Sequence, residues 1–137
     1  IGQIDSIMAV HGSPQNRNTY MLTWEDVVPH IDYVEQFAVN VCFFGHTHSP
    51  GIFARDGVYA APPGEVFKMT GDTVYFVNPG SVGQPRDGDP RASFGFYDSD
   101  RREFELVRLE YPVKIAAERI TDAGLPAVLG ERLFLGR

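Results

Sequence analysis

With 137 residues, 43% of them hydrophobic, and with 14 glycines and 10 prolines, the chain has room for one loop-rich domain around a modest core. Such a composition excludes a disordered or collagen-like chain, and no apolar run approaches the ~20 residues of a membrane span. The net charge of −6 and the scattered Lys and Arg argue against general nucleic-acid binding, which needs a clustered basic face.

The chain opens at Ile1-Gly2-Gln3-Ile4, without methionine, and runs at once into an apolar segment. That reads as a cut inside a domain. Nothing resembles a signal peptide, so the expected location is cytoplasmic, with no membrane partner. Ile4 to Val10 is short and apolar and stops at His11-Gly12-Ser13-Pro14, the pattern of a buried strand. Gln15 to Thr19 is polar and reads as a loop. Thr23 is placed to cap a helix, with Asp26 three residues on, and Val27, Ile31, Val34 and Ala38 recur at helical spacing. Val39 to Phe44 is a second apolar run, ending at Gly45-His46-Thr47-His48. It contains the single cysteine, Cys42, which reads as a small core residue.

Strand, helix, strand implies a parallel pair, so both strands finish at one edge of the sheet. Both finish with histidine. The second half reads differently. Gly51 to Ala60 and Gly64 to Met69 look like short strands around Pro62-Pro63-Gly64, and Asp72 to Val77 is a strand leading into Asn78-Pro79-Gly80-Ser81. Ala92 to Tyr97 and Glu103 to Glu110 read as a hairpin across Asp98-Ser99-Asp100-Arg101. Helices follow, from Pro112 to about Ala123 and from Ala127 to Leu133, with Gly124-Leu125-Pro126 between them. The chain is thus an α/β protein: a parallel βαβ unit, then antiparallel strands, then helices.

Neutral imidazole is a common ligand of transition metals, and two imidazoles one residue apart in a tight turn can serve one pocket. An isolated H-x-H is more often a pair of solvated turn histidines. His11, brought to the same edge by the crossover, shifts that balance toward a metal site. His30 lies within the expected helix and reads as a solvated or packing residue.

Gly45-His46-Thr47-His48 is similar to the terminal G-H-x-H block of calcineurin-like metallophosphoesterases, and His11-Gly12-Ser13-Pro14 resembles their preceding histidine block. Asn78-Pro79-Gly80-Ser81-Val82-Gly83-Gln84-Pro85-Arg86 looks like the N-P-G-S-x-x-x-P-R stretch of the small prokaryotic branch, which includes phosphodiesterases and diadenosine-tetraphosphatase-like proteins. The resemblance runs from about Ile4 to Tyr97. It implies an α+β-like sandwich, the C-terminal part of a four-layer fold, occupying residues 1–137 as a single partial domain. The family's D-x-H, G-D-x-x-D and G-N-H-D blocks do not occur here, and they carry the other ligands.

The function implied for a complete domain is metal-dependent phosphoester hydrolysis at a dinuclear centre. His11 and His46 would bind one cation and His48 the other, with Mn, Fe, Zn or Co favoured over Mg. Asn78, Ser81 and Arg86 follow a strand and could reach a phosphoester substrate from the rim. The N-terminal half of the domain would be a necessary partner, and an uncovered edge would favour a homo-oligomer. An alternative is a non-catalytic binding or scaffold module on the same fold, marked by an exposed apolar patch for which Tyr20, Trp24 and Phe53 are the candidates.

Overall fold

Three parallel strands, two of them joined through a helix, lie side by side in one sheet, and the inner two read as continuous apolar runs. The computed structural model describes residues 6–137, so Ile4 and Asp5 of the first expected strand lie outside the described residues. In chain order the elements are β1 (Ile7–Ala9), α1 (Trp24–Glu35), β2 (Val41–Phe43), β3 (Gly51–Ala54), β4 (Gly57–Tyr59), β5 (Val66–Lys68), β6 (Tyr75–Asn78), β7 (Ala92–Asp98), β8 (Glu103–Leu109), α2 (Val113–Asp122) and α3 (Ala127–Leu135). The fold is a mixed α/β sandwich, as the sequence implies.

β1, β2, β6, β3 and β4 form one sheet in that order, and β5, β8 and β7 form a second. β1, β2 and β6 run parallel, with Met8 beside Cys42 and Cys42 beside Phe76. β3 is antiparallel to β6 and pairs with β4 in a hairpin. The segment Gly51 to Ala60 is therefore not one strand, because the chain reverses at Arg55-Asp56 into Gly57, whose φ of 147° suits a glycine.

α1 starts where its capping residues dictate. Thr23 accepts from the Asp26 amide, and the Asp26 carboxylate accepts from the Thr23 amide at 2.9 Å. Its apolar stripe, Val27, Ile31 and Val34, is fully buried against Cys42, Phe44, Phe53 and Phe76 of the first sheet. Burying each such side chain contributes about 1.5–3 kcal/mol. Burial pushes the Cys42 thiol up to about 12, so it acts as a small apolar filler.

The other face of the first sheet presents Val41, Ile52, Ala54, Tyr75 and Val77, and these meet Phe104 and Leu106 of β8. A strand covered on both faces reads as a continuous apolar run, which is why β2 and β6 look alike in sequence. Among the described residues this gives three layers, α1, sheet and sheet. The outer face of the second sheet is open, with Val66 and Phe96 exposed. α2 and α3 pack on one another, Gly130 sitting close against Ala117. β1 is an edge strand, and its Ile7 is half exposed.

Candidate metal-binding edge

The parallel pairing continues past the ends of the strands. Val10 donates to Phe43 O and Gly45 donates to His11 O, both at 2.9 Å, while Phe44 donates to Val77 O at 2.9 Å. These bonds seat His11, the Gly45-His46-Thr47-His48 turn and Asn78-Pro79-Gly80-Ser81 at one edge. His11 Nε2 lies 2.9 Å from His46 Nδ1, with the ring centroids 4.6 Å apart. One of these nitrogens carries a proton and the other a lone pair.

His48 is turned by a different bond. Its Nδ1 lies 2.8 Å from Gln84 O. A carbonyl can only accept, so Nδ1 holds the proton, and in the neutral ring Nε2 is left as a free donor of electrons. A carbonyl behind an imidazole in this way fixes the tautomer that a metal requires.

The backbone of the turn is strained. His46 and His48 have φ of 66° and 59°, in the left-handed region that disfavours any side chain. Such strain persists only where the surroundings over-determine it, and it is characteristic of ligand-binding positions. Two buried groups supply that determination. Thr47, between the histidines, is 4% exposed, and its Oγ1 accepts from Asn78 Nδ2 at 2.7 Å. Asn78 Nδ2 also reaches Gly45 O at 3.4 Å, and its Oδ1 accepts from Gly80 N at 2.9 Å.

Asn78 therefore lies beneath the turn rather than on its rim. It is 1% exposed, with both ends of its amide engaged. A part in touching substrate, expected for it on sequence, gives way to bracing the two loops. Ser81 is half-buried, and its Oγ accepts from the amides of Gly83 and Gln84 at 3.3 and 3.0 Å, which shapes the loop that offers Gln84 O to His48. Arg86 is exposed. Its amide donates to His48 O at 3.1 Å, and its guanidinium donates to Gln84 Oε1 at 3.0 Å. Of the three, Arg86 is the one left exposed.

Gly80, at φ 83°, lies so close to the buried Ser93 that a Cβ there would overlap its side chain. Ser93 donates through Oγ to Pro79 O at 2.7 Å and through its amide to Ser81 O. The start of β7 thus clamps the N-P-G-S turn.

His30 stands apart from the edge. Its Nδ1 is 3.0 Å from Gln15 Oε1, and burial lowers its pKa. The patch of Tyr20, Trp24 and Phe53 does not form. Phe53 is 7% exposed and belongs to the core, Trp24 donates to Ala54 O at 2.9 Å, and Tyr20 packs on His46. Trp24 and Phe53 instead line a cleft of about 600 Å³ with Leu22, Pro50, Val58 and Tyr59. Thr47 is the residue at this edge that the sequence did not single out, and Tyr20, expected in an apolar patch, stands at this edge instead.

The sandwich and its histidine edge define a class. Residues 3–102 match the calcineurin-like phosphoesterase superfamily domain, and the chain belongs to that superfamily. It is similar to a metallophosphoesterase from Sphaerobacter thermophilus, whose crystal structure aligns with a TM-score of 0.87 at 33% identity, over 97% of this chain and 56% of that one. A hypothetical protein from Pyrococcus horikoshii OT3 shares the fold, with a TM-score of 0.72 at 22% identity over 97% of this chain and 47% of that one. An uncharacterised protein of Methanocaldococcus jannaschii is 42% identical over 115 residues, which is 83% of this chain and 46% of that protein. The chain spans about half the length of these relatives. Among the described residues no helix is long and apolar enough to cross a membrane.

Proposed function

We propose that this chain supplies the histidine side of a dinuclear metal centre in a phosphoester hydrolase, a phosphodiesterase or phosphatase. One observation carries the reading: His11 Nε2 and His46 Nδ1 face each other at 2.9 Å. Two imidazole nitrogens bound at ~2.0–2.1 Å to one cation stand roughly 2.9–3.4 Å apart, so the pair fits a single metal. His48, with its Nδ1 committed to Gln84 O, offers Nε2 to a second.

Among the described residues no three His, Cys, Asp or Glu converge on one point. His48, with its Nδ1 committed to Gln84 O, would hold a second cation, and carboxylates would complete both sites. Imidazole with carboxylate favours Mn, Fe, Zn or Co over Mg. Bound there, the cations supply an acidified water and charge stabilisation of the phosphoryl oxygens.

The chain's own residues orient and bind. Gln84 holds the His48 tautomer, Asn78 and Thr47 hold the turn, and the exposed Arg86 guanidinium pairs with a phosphate oxygen. The Ser81 hydroxyl, which accepts two amides, keeps its proton to donate to the substrate.

This chain alone binds metal weakly and lacks turnover, because strong binding needs a nearly complete preformed ligand set. Its partners are the phosphoester and the carboxylate-bearing remainder of the domain. The test uses an aryl phosphodiester, Mn²⁺ or Zn²⁺, and an uninterrupted domain containing this segment. Turnover should appear only with added metal, and His46→Ala and His48→Ala should each remove most of it. Undiminished turnover in both variants after exhaustive chelation would sink the reading.

A further inference from the structure

Tyr20 lies on a polar loop with no motif of its own, yet its ring centroid is 4.0 Å from that of His46, inclined by 31°. This is close, tilted ring packing between residues 26 positions apart. Tyr20 is 48% exposed, and no hydrogen bond holds its hydroxyl among the described residues. The His46 ring is thus its main anchor, while His46 itself is held by both Tyr20 and His11. One nitrogen of His46 faces His11, one face of its ring is covered by Tyr20, and its backbone is in the left-handed region.

The delivery of Tyr20 is built into the loop. Ser13 N donates to Asn16 O at 3.0 Å, and Thr19 N donates to the same carbonyl at 3.1 Å, turning the chain back on itself. The returning backbone lies against Gly12, where a Cβ would stand 2.8 Å from Thr19 O and closer still to Arg17 O. Met21, 1% exposed, then anchors the far side of Tyr20 in the core.

From this geometry we infer that Tyr20 is a positioning residue for His46, its ring fixing the imidazole plane so that Nδ1 stays opposed to His11 Nε2. The inference rests on the metal reading given above, and goes beyond it by naming the side chain that pre-organises one ligand. Residues that orient a metal ligand without touching the metal typically change affinity 10–100-fold when removed.

The experiment titrates Zn²⁺ alone into the uninterrupted domain containing this segment, for wild type, Tyr20→Phe, Tyr20→Ala and His46→Ala. It also follows the imidazole proton resonances of the metal-free forms. Tyr20→Ala should weaken Zn²⁺ binding about tenfold, while Tyr20→Phe, which keeps the ring, should stay within about twofold. In the metal-free domain the His46 ring protons should carry a ring-current shift that Tyr20→Phe retains and Tyr20→Ala loses, with those of His48 unmoved. Unchanged affinity and unchanged His46 resonances in Tyr20→Ala overturn the inference. An equal loss in Tyr20→Phe also overturns it, by assigning the effect to the hydroxyl. If His46→Ala binds Zn²⁺ as wild type does, the metal reading itself has failed, an outcome visible without either Tyr20 variant.

Discussion

The α1 face of the first sheet and the edge at which its strands end are built on opposite terms. On the α1 face the levels agree apart from Pro29 inside the helix: Thr23 and Asp26 cap it, its stripe recurs at the right period, and Val27, Ile31 and Val34 meet Cys42, Phe44 and Phe76 without exposure. At the edge the levels conflict. His46 and His48 occupy backbone conformations that disfavour side chains, His11 stands exposed, and the ring nitrogens face one another instead of solvent. A sequence that is locally consistent elsewhere and inconsistent at one edge marks that edge as selected for something other than stability.

That contrast can be broken by perturbing each side and reading both. Phe76→Ala, at a position of zero exposure in the core, should cost about 3–5 kcal/mol of stability by denaturant unfolding, as large-to-small core substitutions do. Zn²⁺ affinity per folded molecule should not move. Asn78→Ala should cost less, about 2–3 kcal/mol, by leaving the Thr47 hydroxyl and the Gly80 amide without their buried partner. Unlike the core variant it should also weaken Zn²⁺ binding, since the brace holds the turn. If the two variants affect metal binding alike, the edge is not separately braced.

Much of the consistent region was legible in the sequence because its signals are local. The Thr23–Asp26 cap, the stripe from Val27 to Val34 and the apolar runs around Met8 and Cys42 each lie within a dozen residues. Gly51 to Ala60 reads as strand throughout although Asp56-Gly57 is a hairpin signal, because short apolar stretches on either side obscure the break. The coming together of His11 and His46 followed from the crossover. What sequence could not supply was the direction of side chains. Asn78 belongs to a turn motif, and nothing in the motif says that its amide points inward to Thr47. Thr47 could have been found, since in a turn where the first and third residues face one way the second faces the other. Tyr20 could not, because its partner is 26 positions away and no periodicity links them.

A smaller effect separates the edge from the loop that follows it. Asp89 accepts from the Arg91 guanidinium at 2.6 and 3.1 Å, and this, with the Arg91 amide and nearby Arg108, holds its carboxyl at about 2 against its ordinary 3.8. Arg108, almost fully buried, is itself paired with Asp87. A folded-state pKa below the unfolded value means stability that is fully present above pH 3.8 and lost as the pH falls toward about 2. Asp89→Asn should therefore flatten the acid limb of the stability profile in that window, measured by unfolding at a series of pH values. Its neutral-pH Zn²⁺ affinity should match wild type. An unaltered limb would mean that the Arg91 pair is screened to insignificance by solvent.

The smallest effect bears most directly on whether the edge is strained. His46 has φ 66°, and placing a Cβ in that conformation costs roughly 1–2 kcal/mol relative to glycine. His46→Ala and His46→Gly both discard the imidazole, its approach to His11 and its stack on Tyr20, so the losses specific to the ring cancel between them. What remains is the backbone. In a helix or strand, glycine is less stable than alanine by roughly 0.5–1 kcal/mol because it has more freedom to lose on folding. At position 46 the order should reverse, with the glycine variant more stable than the alanine variant by about 1 kcal/mol. The same pair of substitutions at Glu118, an exposed residue inside α2 and outside the positive-φ set, provides the ordinary order for reference. If alanine equals or exceeds glycine at position 46, the left-handed conformation costs nothing there, and the contrast between a relaxed core and a strained edge loses its energetic basis while the arrangement of the three histidines stands.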